Sequence, residues 1–448
     1  MKKLLRKYKV ILLLFLFNPL VFGSELKVGI ARKIITPEPA SIWMGGYASR
    51  IKPSDGKFHD LWAKALVFED SNGNHCVIVT TDIIGISHQI SEDISKQILD
   101  KYKIDRSQLL ISSSHNHSGP VILPSYFDFS ASELRFVSEY GQKLTTDIVE
   151  LIEMAWNDLK PMEISTGHGF ADFGRNRRDP AIKIRPVDPD VPVLAVTAPD
   201  GKLKAVLFGY ACHNTTLTGD NYEICGDYAG FAQIELENIF EGVTAMFFQG
   251  CGADIDPFPR GNMLHAEQHG RTLASVVQKV LSGNLQPVSS PIRTGYKVIE
   301  LEFQPFDIGI YKKEILSNDS FKQKRARLMM EAFSKGWDIS TIQYPVQTIR
   351  FSNDLTFIGL GGEVVVDYSL FLKNEYPEEN LFISGYCNEV MCYIPTVRIL
   401  REGGYESNSS MIYKGLPGPL SENVEADVLN AVRMVLKEAG IKASGKDK

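Results

Sequence analysis

Strand and helix patterns alternate along almost the whole 448-residue chain, beginning at Leu26. Short apolar runs typical of buried strands occur at Ala63–Glu69, Cys76–Thr81, Leu109–Ser113, Val193–Thr197, Lys204–Tyr210, Thr244–Gln249, Thr356–Leu360 and Leu381–Gly385. Helical periodicity occurs at Ile90–Tyr102, Ser132–Leu159, Ala229–Phe240, Leu264–Leu281, Ser320–Lys335, Val364–Glu375 and Asn423–Ala439. Because repeated strand–helix units favour a parallel or mixed sheet, we predict an α/β fold with mixed β-sheets flanked by helices.

Two segments interrupt this pattern. The stretch Asp172–Pro192 is dense in Arg, Asp and Pro, and we expect a long ordered loop, which is often functional. The pattern also shifts near Gly283–Pro291, a weak domain boundary. We expect no separate C-terminal β domain.

The N-terminus has the pattern of a secretory signal peptide. A basic region precedes the unbroken apolar run Val10–Phe17, and Asn18-Pro19 ends that run. The run is too short to span a bilayer. We therefore predict a signal peptide over residues 1–23, a mature domain over residues 24–448, and export to the periplasm or the medium. An uncleaved membrane anchor is the alternative. No later segment offers 18 consecutive apolar residues, so no transmembrane segment is expected after cleavage.

Composition excludes several classes of protein. With 44% hydrophobic residues the chain can fill a globular core. Its 54 acidic residues outnumber 48 basic ones, which argues against a general nucleic-acid binder. The six cysteines, Cys76, Cys212, Cys225, Cys251, Cys387 and Cys392, are too few for a disulfide scaffold. We expect buried thiols, and one bridged pair remains open.

Polar clusters follow five of the predicted strands. They are His115 with His117, Cys212-His213-Asn214, Gly250–Asp256, Gly361-Gly362-Glu363, and Asn388–Tyr393. Ligand sites in open α/β sheets lie beyond the carboxyl ends of the strands. The five clusters are therefore expected to converge on one active site.

The histidine pattern suggests a metal. Alternation would send His115 and His117 to opposite faces unless the backbone turns, and Ser118-Gly119-Pro120 supplies a turn. One imidazole of such a pair can bind metal while the other contacts substrate. Two histidines plus a carboxylate are a common catalytic zinc set. A solvated loop pair is the simpler alternative.

A second histidine pair lies on a predicted helix. His265 and His269 share a helical face, but Glu267 does not directly follow the first histidine, as it would in a zincin. We expect this pair to be structural.

Several separated motifs resemble the catalytic N-terminal domain of the neutral/alkaline, non-lysosomal ceramidases. They are Val28-Gly29-Ile30-Ala31, Ile35-Thr36-Pro37, Met44-Gly45-Gly46-Tyr47, Ser112–Pro120, Asn176-Arg177, Cys212-His213, Gly226-Asp227, Gly362-Glu363 and Cys387–Tyr393. They occur in the family's order over nearly the whole mature chain, and the S-H-x-H-S-G-P string is the most specific. The resemblance implies a zinc-dependent amidase that cleaves the N-acyl bond of ceramide.

The resemblance also implies roles for individual residues. The zinc ligands would be His115, His213, Glu363 and Tyr393. His117 would lie beside the metal or on the substrate side. Arg177 would contact substrate, although a loop salt bridge with Asp179 or Asp172 is an alternative, as is an aromatic-core role for Tyr393.

The sequence departs from the family at one catalytic position. The family carries a serine after the strand equivalent to Thr244–Gln249, whereas Asp256 stands there in this chain. Asp256 is expected either to act as a general base on water or to bind a polar group of the substrate. The string Gly404-Tyr405-Glu406-Ser407 also resembles its family counterpart only loosely.

The sequence therefore favours an exported zinc hydrolase that cleaves ceramide or a related N-acyl compound with zinc-activated water. His117 or Asp256 would give a proton to the leaving amine, and His117 or Arg177 would stabilise the oxyanion. One alternative is the same metal site acting on a more polar amide, ester or glycoconjugate. A second is a catalytically silent binding protein. The expected partner is a small molecule, with lipid among the options, and protein partners stay undefined.

Overall fold

The computed structural model describes residues 26–122 and 129–441. Its strands are β1 Leu26–Ile34, β2 Gly56–Lys57, β3 Trp62–Asp70, β4 His75–Thr81, β5 Leu109–Ser113, β6 Lys160–Phe170, β7 Gly174–Asn176, β8 Asp190–Thr197, β9 Leu203–Tyr210, β10 Glu223–Ile224, β11 Thr244–Gln249, β12 Ile255–Pro257, β13 Gln286–Val288, β14 Ile292–Glu302, β15 Thr341–Phe351, β16 Leu355–Leu360, β17 Glu363–Val364, β18 Leu381–Ser384 and β19 Tyr393–Ile394. Its α-helices are α1 His88–Tyr102, α2 Ala131–Asn157, α3 Asp227–Ile239, α4 Met263–Leu281, α5 Ile308–Glu314, α6 Ser320–Lys335, α7 Val366–Glu375, α8 Val397–Glu402, α9 Ser410–Lys414 and α10 Val424–Glu438. The predicted signal peptide lies outside the described residues.

Two mixed sheets organise these elements. The nine-stranded sheet has the order β11-β9-β8-β6-β1-β3-β4-β5, with β13 added beside β6. Its β4–β5 and β9–β11 pairs are parallel, and β1–β3 and β6–β8 are antiparallel. The four-stranded sheet has the order β14-β15-β16-β18, with β16 and β18 parallel. The predicted α/β fold with mixed sheets and flanking helices is confirmed.

The two sheets pack face to face, and helices cover their outer faces. Successive side chains on β3 alternate: Ala65 and Val67 pack with the core under α1 and α2, whereas Leu66 and Phe68 enter the core between the sheets. Aromatic contacts join the sheets there, such as Phe68 with Phe351 at 5.1 Å between ring centroids. The layers therefore run helix, sheet, sheet, helix, with α10 on the outer face of the smaller sheet.

The predicted loop over Asp172–Pro192 was partly wrong. It contains β7, and β8 already begins at Asp190. β7 forms a short antiparallel ladder with β12, in which Arg175 lies opposite Asp256. This backbone pairing gives order to a polar segment that has no strand pattern of its own, and it brings Arg177 close to Asp256.

The pattern shift near Gly283–Pro291 coincides with the passage between the sheets, because β13 pairs with β6 and β14 begins the smaller sheet. All six cysteines are buried and unpaired. Within the described residues, none of the helices combines the length and apolar character needed to cross a membrane.

Candidate metal centre

Four of the predicted site residues come from two parts of the fold. His115 follows β5, and His213 follows β9, both strands of the nine-stranded sheet. Glu363 and Tyr393 begin β17 and β19, which pair in parallel with these two residues opposite each other. The centre therefore lies where strand ends of the larger sheet meet loops that follow strands of the smaller one.

The side chains of His115, His213 and Glu363 converge. The Oε2 atom of Glu363 lies 3.2 Å from Nε2 of His115 and 3.7 Å from Nε2 of His213. His117 joins them, with its Nε2 3.1 Å from Nε2 of His115. Nitrogens of the three histidines all lie within 4.8 Å of one another, and all three residues are buried. Buried imidazoles this close together can hold a metal ion.

The donor atoms are oriented as a metal would require. His115 Nδ1 is 2.6 Å from the carbonyl oxygen of Ile84, and His213 Nδ1 is 3.1 Å from that of Gly252. Such contacts at Nδ1 leave Nε2 as the ligand atom. His213 Nε2 and Glu363 Oε2 are buried and have no hydrogen-bond partner. Because buried polar atoms rarely lack partners, these two atoms fit a metal site.

Charge states also suit metal binding. Burial, Arg177 and His115 lower the pKa of His213 to about 3, so its imidazole is neutral. Burial alone would raise the pKa of Glu363, but Lys414 and His115 bring it well below its usual range. Lys414 Nζ lies 3.0 Å from Oε1 of Glu363, leaving Oε2 to face the histidines. Neutral imidazoles and an ionised carboxylate are the forms that bind metals.

The backbone around the centre adopts unusual conformations. His115 has a φ of 55°, and Tyr386, whose ring lies 4.4 Å from that of His115, has a φ of 56°. Such left-handed conformations in non-glycine residues cluster at functional sites. Gly46 has a φ of 91°, and a Cβ there would lie 2.4 Å from the His117 ring. Only glycine therefore allows the Met44–Tyr47 segment to cover His117.

Arg177 connects the centre to a neighbouring cleft. Its Nη2 donates to the Tyr393 hydroxyl at 3.0 Å, its Nη1 to Asp256 Oδ1 at 3.2 Å, and its Nε to Glu406 Oε1 at 2.9 Å. Arg177 is therefore paired with Asp256 and Glu406. It is not paired with Asp179 or Asp172, which the sequence offered as an alternative. The Tyr393 ring lies nearly parallel to the His213 ring, with centroids 6.4 Å apart.

Asp256 is held between two guanidinium groups. Oδ1 accepts from Arg177, and Oδ2 accepts from Arg260. Thr215 Oγ1 lies 3.4 Å from Oδ1. Burial acts to raise the pKa of Asp256, but Arg177 and Arg260 lower it overall. An ionised carboxylate with both oxygens engaged is a weak proton acceptor, and it is well placed to fix the two arginines.

Sequence reasoning missed three charged residues here. Glu406 pairs with both Arg177 and Arg178. The sequence pointed to Glu406 only weakly, because the Gly404–Ser407 string that contains it resembles its family counterpart only loosely. Arg260 and Lys414 had no signal, because a lone charged residue in a loop or at a helix end looks like a solvated side chain.

The second histidine pair is separate from the centre. His269 Nε2 lies 2.6 Å from the carbonyl oxygen of Pro259, and its ring stacks on Phe173. His265 instead contacts Gln268 within the first turns of α4. The two rings have different partners, which agrees with the structural role expected from the sequence.

A cleft of about 770 Å³ opens beside the centre. His117, Arg177 and Tyr393 form its wall toward the metal centre, and Asp256 and Arg260 line it as well. A small molecule in this cleft would reach His117 and Tyr393.

The family model for the N-terminal part of neutral/alkaline non-lysosomal ceramidases matches residues 26–279. Neutral ceramidase of Pseudomonas aeruginosa is 27% identical over 246 residues, which are 52% of this chain and 37% of that protein. Neutral ceramidase B of Dictyostelium discoideum is 26% identical over 260 residues, which are 53% of this chain and 36% of that protein. The matches thus span little more than a third of the length of these relatives.

The fold resembles solved ceramidase structures. The crystal structure of neutral ceramidase from Pseudomonas aeruginosa superposes with a TM-score of 0.74 at 18% identity, covering 94% of this chain and 76% of that one. A structure of a ceramidase complexed with C2 gives a TM-score of 0.75 at 18% identity, with coverage of 94% and 77%. Since the family model matches more than half of the chain, this protein belongs to the neutral/alkaline non-lysosomal ceramidase family.

Proposed function

We propose that the protein is a zinc-dependent hydrolase that cleaves an N-acyl amide bond. His115, His213, Glu363 and Tyr393 would hold the ion. One observation supports this most directly: the unpartnered His213 Nε2 and Glu363 Oε2 face each other in a buried cluster beside an open cleft. When bound, zinc activates water and polarises an acyl carbonyl.

Arg177 would orient the substrate. A guanidinium has five N–H groups, and the bonds to Tyr393, Asp256 and Glu406 use three of them. The remaining donors can reach a carbonyl oxygen in the cleft that Arg177 lines. Because Arg177 is fixed by two carboxylates and a phenol, it stabilises developing negative charge without reorganising.

His117 would move the proton. It lines the cleft, and burial together with His115 holds its pKa well below the usual range, so the ring is neutral. Its Nε2 is the atom nearest the proposed ligands. We assign to this nitrogen a proton relay: it accepts a proton from the attacking water and then donates it to the leaving amine, so that the ring ends neutral. Asp256, with its lowered pKa, would support the reaction mainly by holding Arg177 and Arg260.

Ceramide is the first substrate to test, because the relatives are named neutral ceramidases. Zinc-loaded protein should release amine from N-acyl substrates. Removal of the metal by a chelator should lower turnover more than 100-fold, and added zinc should restore it.

His115→Ala is the matched control, since added zinc should not restore its activity. Unchanged turnover in chelated wild-type protein would contradict the proposal. Zinc-loaded protein that hydrolyses none of a broad set of amides and esters would support the silent-binder alternative.

We also propose that the protein is exported, on the basis of the basic region and apolar run within residues 1–23. N-terminal sequencing of the periplasmic or secreted form should begin within a few residues of Ser24. An intact Met1 in a cytosolic fraction would refute export.

A further inference from the structure

We propose that this site acts on short-chain N-acyl compounds with a polar, hydroxyl-rich amine portion, the class to which N-acylated amino sugars belong. The inference rests on the proposed hydrolase function and narrows its substrate. Two cavities that border the metal centre carry it: one is large and lined by many charged groups, and the other is small and apolar.

Charged groups dominate the large cleft. Its described walls carry three guanidinium groups and four carboxylates, contributed by Arg177, Arg178, Arg260, Asp179, Asp256, Glu402 and Glu406. Among the described residues that line it, Ile182 is the one with an aliphatic side chain. Apart from the rings of Tyr47, Tyr393 and Tyr405, the described lining residues offer few apolar side chains to the chain of a long-chain amine.

These charged groups are fixed by one another. Arg178 donates to Glu406 at 2.8 Å, to Glu402 at 3.1 Å and to the carbonyl oxygen of Gly403 at 2.8 Å. Arg177 and Arg260 share Asp256. These charged side chains therefore cannot move away from an alkyl chain unless several ion pairs are broken. An alkyl chain lying over it would strip water from charges and return no hydrogen bonds, which is unfavourable.

A hydroxyl-rich molecule meets the same wall favourably. Each carboxylate has about four acceptor positions, and the ion pairs leave part of this capacity for hydroxyl donors. Tyr47 and Tyr405 add ring surface on the same cleft. Ring faces next to hydrogen-bonding groups suit a compact molecule with apolar and polar faces, such as a sugar ring.

The second cavity lies on another side of His115. It is lined by Gly45, Ile84, Gly85, Val121, Ile122 and Val390, together with His115 and Lys414. As bounded by the described residues, its volume is about 20 Å³, which is close to the space of one water molecule. This space accommodates a methyl group, and a long acyl chain would have to extend beyond it. The proposal therefore assigns a short acyl group to this cavity and the polar amine portion to the cleft.

A matched substrate panel separates the acyl and amine contributions. Zinc-loaded wild-type protein is assayed with N-acetyl, N-butanoyl and N-octanoyl derivatives of glucosamine and of sphingosine. We expect kcat/KM to be at least 100-fold higher for N-acetylglucosamine than for N-acetylsphingosine. We also expect at least a 100-fold loss from N-acetyl to N-octanoyl within the glucosamine series.

A preference for the sphingosine series would overturn this inference and leave the hydrolase function in place. If zinc-loaded protein hydrolyses none of the substrates in the panel, that result would contradict both the substrate inference and the proposed hydrolase function. The two failures are therefore distinguishable.

Variants of the small cavity test the acyl assignment. Val390→Ala should raise the N-butanoyl to N-acetyl ratio of kcat/KM about tenfold. Ile84→Val is a milder variant that should shift the ratio in the same direction. Val298→Ala, at a half-exposed position on β14, is the matched control and should leave the ratio unchanged. An unchanged ratio in both cavity variants, with thermal melts like wild type, would overturn the assignment.

Discussion

Replacing His213 with alanine is expected to reduce bound zinc from about one ion per chain to below one-tenth of that. The imidazole supplies a buried, unpartnered Nε2 that faces Glu363, and alanine offers no substitute ligand. His115→Ala should have the same effect. Elemental analysis of dialysed protein measures the metal content directly, independently of any substrate.

A graded series sharpens this prediction. Lys414→Met removes the ammonium that fixes Glu363 Oε1 at 3.0 Å but leaves all four proposed ligands. Loss of a group that orients a ligand typically weakens metal binding about 10–100-fold, and chelator competition measures such changes. Lys437→Met on the exposed end of α10 and His265→Ala should both retain wild-type affinity. Full zinc retention in both His115→Ala and His213→Ala would exclude the proposed centre.

Asp256→Asn should lower kcat by about 100-fold while zinc stays bound, because Arg177 loses the position from which it stabilises negative charge. The carboxylate accepts from Arg177 on one oxygen and from Arg260 on the other. An asparagine presents one acceptor and one donor, so its amide N–H₂ would face a guanidinium. At least one arginine must then move, and Arg177 is also bonded to Tyr393. Steady-state kinetics together with metal analysis separate this loss of turnover from loss of zinc.

Asp179→Asn is the matched control for Asp256. Asp179 lines the same cleft, and its Oδ1 accepts from the backbone N–H of Ala181, a bond that an asparagine oxygen can also accept. Its kcat should stay within about threefold of wild type, because no charge-assisted pair of the site is lost. Near-wild-type turnover in Asp256→Asn would contradict a functional role for the Asp256 carboxylate.

Local sequence was most informative for strands that are buried on both faces. The predicted bounds of β5 and β11 match the structure, because every residue in them is buried and each reads as one apolar run. β1 and β14 escaped prediction because Lys27, Arg32 and the alternating charges of β14 interrupt the apolar pattern. These strands gain their order from pairing along nine or more residues with β3 and β15, which local sequence does not reveal.

The site divides in a similar way. His115, His213 and Glu363 were predictable because uncommon metal-binding residue types directly follow strands, where α/β folds gather their ligands. Lys414 and Arg260 were not predictable, because their importance comes from contacts with Glu363 and Asp256. Lys414 lies 51 residues from its partner along the chain, and only the folded structure brings the two together.

The origin of the four proposed ligands has a consequence for folding. The segment that matches the family model, residues 26–279, contains His115 and His213, whereas Glu363 and Tyr393 belong to the part of the chain that builds the smaller sheet. An ion at this centre would link residues 26–279 to the part of the chain that builds the smaller sheet. All four ligands could bind the ion only after these two parts have packed together. By thermodynamic linkage, zinc binding would add to the free energy of unfolding. The added stability is about 2.7 kcal/mol when the concentration of free zinc is 100 times the dissociation constant of the site. The concentration of free zinc would then affect the stability of the folded protein as well as the rate of its reaction.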